Sequence, residues 1–117
     1  MEAFNAGDRI TDRSTRVVRL LVTLSLVENE LATRGPVRVY VRVTDPSGNL
    51  LLDGKGTTFA FGEETLEATA SREVDYQGSE VELGIYVNNI PDFTKGIYTV
   101  QAYTEQSLLG SAELMLR

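Results

Sequence analysis

The chain is a succession of short runs in which apolar and polar residues alternate. Val18, Leu20, Val22, Leu24 and Leu26 form one apolar row, with Arg19, Thr23 and Ser25 between its members. Residues two apart share a face only in extended backbone, so Val17 to Val27 is expected as a strand with this row turned inward. Val37, Val39, Val41 and Val43 repeat the pattern, opposite Arg38, Tyr40 and Arg42. Val81, Leu83, Ile85 and Val87 make a third row. Gly96 to Leu116 reads as a closing hairpin broken at Glu105-Gln106-Ser107. In it Tyr98, Val100 and Ala102 meet Leu114 and Leu116 across the pleat.

The runs between these are shorter or less regular. Leu50 to Asp53 and Thr57 to Phe61 are expected as brief strands. In Thr65 to Tyr76 the residues Leu66, Ala68, Ala70, Val74 and Tyr76 share a phase that Arg72 interrupts, which predicts a bulge, a bend or an edge. Residues 1–16 are polar apart from Phe4 and Ile10 and are expected as a partly flexible lead with an edge strand near Asp8 to Thr11. Turn chemistry punctuates the chain at Arg34-Gly35-Pro36, Asp45-Pro46-Ser47-Gly48-Asn49, Gly62-Glu63-Glu64 and Tyr76-Gln77-Gly78-Ser79. Seven or eight strands at roughly 8–12-residue spacing, with no helical period, predict an all-β fold. The single apolar face on nearly every run predicts two antiparallel sheets packed as a β-sandwich. At 117 residues, with no internal repeat, the chain is expected as one domain, 1–117.

Lys95-Gly96-Ile97-Tyr98-Thr99-Val100 resembles the start of the penultimate strand in immunoglobulin-like and fibronectin III-like sandwiches. The resemblance implies that the Tyr98 hydroxyl bonds backbone a few residues upstream and pins a corner between sheets. Val100 stands where antibody-type domains carry a cysteine, and Thr94 where they carry an aspartate. Residues 17–117 also look like the Ig-like domains at the C-terminal ends of uncharacterised bacterial proteins. Val39-Tyr40-Val41-Arg42-Val43-Thr44-Asp45-Pro46-Ser47-Gly48 and Arg72-Glu73-Val74-Asp75-Tyr76 carry that likeness together with the Tyr98 motif. It implies a binding or spacer module of a larger bacterial protein, with the cell envelope or periplasm as its place.

Charge and composition narrow the chemistry. Eleven Lys and Arg stand against seventeen Asp and Glu, a net charge of −6. That disfavours nucleic acid and anionic membrane, which both select for excess positive charge. The charge is uneven: residues 1–42 hold seven Arg against five acids, and residues 43–117 hold four basic residues against twelve acids. With no His and no Cys, Ser-His-Asp triads, Cys nucleophiles, disulfides and thiolate metal sites are excluded. The acids Glu63, Glu64, Glu73, Asp75, Glu80 and Glu82 fall in turns or on polar faces, where nothing separates their pKa values for acid–base work. No enzyme, cofactor or metal is expected. Asp45, Ser47, Asn49 and Asp53 read as turn residues, since Pro46 and Gly48 break a calcium-loop order. Gly54-Lys55-Gly56-Thr57 lacks the upstream glycine and following helix of a phosphate loop. No apolar run approaches the length that spans a bilayer, and Glu2, Asp8 and Asp12 do not fit a signal peptide.

Two surfaces remain as candidates. Arg38, Tyr40 and Arg42 are expected on an outer face with Gln101 and Tyr103 of the neighbouring strand, a flat aromatic and cationic platform for a protein partner or, alternatively, a glycan. The last strand has no proline and one charge, Glu113. If it lies at an edge, Leu109, Ser111, Glu113 and Met115 offer a site for self-association or for strand addition to a partner. The function read from the sequence is a non-catalytic protein-interaction or spacer module, with carbohydrate binding as the alternative.

Overall fold

Short alternating runs become antiparallel strands throughout the computed structural model, which describes residues 1–26, 35–77, 80–88, 90–105 and 107–117. Val27 at the end of the expected Val17 to Val27 strand, the expected turn residues Arg34, Gly78 and Ser79, Gln106 of the expected hairpin break, and residues 28–33 and 89 lie outside the described residues. The strands are β1 (Glu2–Phe4), β2 (Arg19–Leu26), β3 (Gly35–Thr44), β4 (Thr58–Phe61), β5 (Glu64–Glu67), β6 (Ala70–Tyr76), β7 (Val81–Val87), β8 (Gly96–Tyr103) and β9 (Leu108–Leu116). A three-stranded sheet has the order β1-β2-β7, a four-stranded sheet the order β6-β3-β8-β9, and β4-β5 forms a separate hairpin.

The inward rows of the two larger sheets meet in one core. Leu20, Val22, Leu26, Leu83, Ile85 and Val87 come from one sheet; Val39, Val41, Val43, Val100 and Leu116 come from the other. Burying each such side chain is worth ~1.5–3 kcal/mol, so these rows supply most of the driving force. Register follows from them, because a one-residue slip would turn a whole row to solvent. Tyr98 is 1% exposed. Its hydroxyl donates to the Thr94 carbonyl at 3.0 Å and accepts the Thr94 N–H at 2.8 Å, as its position predicts.

Four expectations need correction. Val18 is exposed and precedes β2, since the ladder with β7 begins at Leu20 opposite Val87. Thr65 to Tyr76 breaks at Ala68-Thr69, not at Arg72. There the wholly buried Thr69 accepts the Val43 N–H at 2.9 Å and donates to the Leu51 carbonyl at 2.7 Å, turning the chain from the hairpin into the sheet. Leu50 to Asp53 forms no strand; one bridge, Thr44 to Leu50, holds it beside β3. The edge strand of the lead is Glu2–Phe4, not Asp8 to Thr11. Asn5 folds the chain back after it, its side-chain oxygen accepting the Gly7 and Arg9 amides.

Candidate functional site

Arg38, Tyr40, Arg42, Gln101 and Tyr103 do lie together on the outer face of the four-stranded sheet. Register places Tyr40 opposite Tyr103 and Arg42 opposite Gln101. Their environment differs from the expectation of an open platform, because the β4–β5 hairpin lies on top of them. Tyr40 is 6% exposed and Tyr103 8%. With Phe59 and Ala68 they make a second buried cluster, against which Phe61 and Leu66 pack. Phe59 stacks on Tyr40 at 4.3 Å and 12°, and tilts over Tyr103 at 5.5 Å. The hairpin places Phe59 on one face by the same alternation that builds the sheets, and it needs an apolar seat because a two-stranded ribbon cannot bury that face alone.

The polar members of the group serve the same packing. Arg42 donates to the Glu67 carbonyl of β5 at 2.9 Å. Gln101 accepts the Tyr103 hydroxyl at 3.1 Å. Arg38 remains exposed, donating to Ser71 at 3.1 Å and standing 3.9 Å from Glu73. Burial, reinforced by the nearby Glu105 carboxylate, raises the Tyr40 pKa above its usual value. The phenol donates to that carboxylate at 3.4 Å.

The last strand is the outer member of its sheet, paired with β8 alone. Its C-terminal end is covered: the Arg117 amide donates to the Asp12 carbonyl and the Ser14 amide to the Arg117 carbonyl. Backbone groups of alternate residues point to the same side of a strand, so Ser111, Glu113 and Met115 direct their amides and carbonyls outward as Arg117 does. Among the described residues no strand pairs with them there. Met115 is 64% exposed, beside the exposed Ile97 opposite it. Leu109 departs from the expected outward position. Ala102 pairs with Gly110 but Tyr103 with Leu108, leaving Leu109 as the extra residue of a bulge that packs against the core.

Across the interior from this edge, the side of β2 that faces away from β7 is unpaired along part of its length among the described residues. β1 covers only Arg19 to Leu21. Beyond it, the Val22 to Ser25 stretch of β2 and the Leu109 to Ala112 stretch of β9 flank a mostly apolar cavity of about 160 Å³, with Val100, Ala102 and Met1. Small residues make the space: Gly110 has open room where a Cβ would sit. Sequence reasoning found the β9 half of this opening and missed the β2 half.

A family model described as Domain of unknown function (DUF8428) matches residues 1–117. No curated protein and no solved structure matches the chain.

Proposed function

The chain belongs to the DUF8428 family, and on that premise we propose that it is a non-catalytic interaction module that receives an extended segment of a partner polypeptide along β9. The observation that carries this reading is the run Ser111 to Met115, whose outward backbone groups have no neighbouring strand among the described residues. An added strand would lengthen the four-stranded sheet and close the mouth of the apolar cavity beneath Leu109. Backbone pairing supplies the affinity in such additions, and alternate side chains entering pockets supply the specificity. Between the bulge at Leu109 and the covered end at Arg117, the edge carries one charge and no proline. The sheet orders β1-β2-β7 and β6-β3-β8-β9, together with the Tyr98 corner, support an immunoglobulin-like or fibronectin III-like sandwich, with the hairpin set between its third strand and the next. The glycan platform on Tyr40 and Tyr103 loses its support, because the rings are under that hairpin.

The test is selection of a random-peptide library on the purified chain, followed by binding to Glu113→Pro. The Glu113 amide points away from β8, so proline there leaves the internal ladder intact while blocking an added strand. Selected peptides should alternate apolar and polar residues, protect the Ser111, Glu113 and Met115 amides from exchange, and lose binding to the variant. Peptides that bind Glu113→Pro equally well would refute the edge as the site. Concentration-dependent dimerisation abolished by the same substitution would make the partner a second copy of the chain.

A further inference from the structure

A polar cleft lies on the opposite side of the molecule's core from the β9 edge, at the seam where β6 and β7 approach. There Arg72 crosses from β6 to donate to the Gly84 carbonyl of β7 at 2.8 Å. The cleft holds about 260 Å³ and is bordered by Tyr86 and Asn88, by Arg38 and Ser71, and by Asp53 and Lys55 of the turn that precedes β4. Asp53 is 7% exposed. One of its carboxylate oxygens accepts the Lys55 amide at 3.0 Å. The other has no partner among the described residues and is not sealed from solvent. That oxygen is free to accept a hydrogen bond from a ligand in the cleft.

We propose that this cleft binds a neutral pyranose ring, with Tyr86 against its C–H face and Asp53 accepting hydrogen bonds from its hydroxyls. Two features select that ligand class. Both signs of charge are present: the Arg38 and Lys55 cations oppose a free ammonium, and the Asp53 carboxylate opposes a free anion. A ring of hydroxyls, each both donor and acceptor, satisfies donors and acceptors together. An aromatic side chain also stands at the border of the cleft. Tyr86 is 52% exposed, and the Arg19 guanidinium sits 5.7 Å from its ring centre. Arg19 is itself held by Asp8 and by the Phe4 ring, so the tyrosine is braced before a ligand arrives. The volume suits one ring and lies just below the ~300 Å³ at which drug-sized ligand sites begin. Asp53 also borders an adjoining hollow of about 230 Å³, which leaves room for a second ring.

This site is separate from the β9 edge, so either can fail without the other. The experiment is an amide-resolved NMR titration of the intact chain with the methyl pyranosides of glucose, galactose, mannose and N-acetylglucosamine. One ring of about a dozen heavy atoms at ordinary ligand efficiency binds in the low-millimolar range, so titration to about 50 mM suffices. At least one sugar should shift the Asp53, Lys55, Ser71 and Asn88 amides together. Asp53→Asn keeps the oxygen that caps the turn and exchanges a charge-assisted hydrogen bond for a neutral one, which should weaken binding about tenfold. Tyr86→Ala, at an exposed position, should weaken it by a similar factor. Absence of shifts with every sugar would overturn the proposal, as would shifts that survive both substitutions or a response confined to zwitterionic amino acids.

Discussion

Replacing Phe59 with alanine should lift the β4–β5 hairpin off the sheet while the rest of the domain stays folded. The Phe59 ring is 3% exposed, stacked on Tyr40 and tilted over Tyr103. Truncating a buried phenylalanine costs about 3–5 kcal/mol, with ~0.5–1.5 kcal/mol of that in each aromatic pair. Among the contacts that remain are the edge contact of Phe61 with Tyr103, the packing of Leu66 and Ala68, and the Arg42 bond to the Glu67 carbonyl. A charged hydrogen bond contributes about 1.5–3 kcal/mol and an aromatic pair ~0.5–1.5 kcal/mol, comparable to the loss, so the hairpin should open far more often than the core. The main core does not contain Phe59, so its strands keep their packing. Hydrogen exchange should show amides of residues 58–67 losing protection while those of Val39, Val41 and Val100 keep theirs. The Tyr40 phenol should titrate closer to its ordinary value once uncovered. Loss of protection in the core and the hairpin together, at one denaturant concentration, would refute the idea that the hairpin is a separately docked layer.

Two further outcomes follow from buried polar contacts. Thr69→Val keeps the shape of the side chain but deprives the buried Val43 amide and the Leu51 carbonyl of their partner. It should cost about 2–3 kcal/mol, read as a lowered urea midpoint at unchanged slope, whereas Thr69→Ser should cost less than about 1 kcal/mol. The raised Tyr40 pKa has a sign that alkaline titration can check. The fold favours the neutral phenol, so this contribution is whole below pH of about 10 and is lost as pH climbs through the higher native value. Tyr40→Phe should flatten that part of the alkaline stability profile, and Glu105→Gln should bring the Tyr40 titration down towards the ordinary range.

The two candidate binding regions differ in how a sequence reader could reach them. Ser111, Glu113 and Met115 lie on one strand, and the scarcity of charge there is visible in nine consecutive residues. Asp53, Ser71 and Tyr86 come from a turn and two strands brought together at a seam. In the sequence Asp53 is indistinguishable from any aspartate that caps a turn, and Tyr86 from any polar-side residue of an alternating run. Their proximity is a product of β6 and β7 belonging to different sheets whose edges approach.

The amino-acid sequence by itself determined that the protein is all-β, where β3, β7, β8 and β9 run, and which valines and leucines of those strands face inward. These follow from side-chain period and turn chemistry, which act over a few residues. Tertiary structure decided what each face meets. Alternation assigned Tyr40 and Tyr103 correctly to the face opposite Val39 and Val41, but it carries no information about a hairpin from residues 58–67 folding over them. It could not place the break at Thr69, whose hydroxyl chooses partners on β3 and at Leu51, or the bulge that turns Leu109 inward. Those outcomes depend on contacts between segments far apart in the chain.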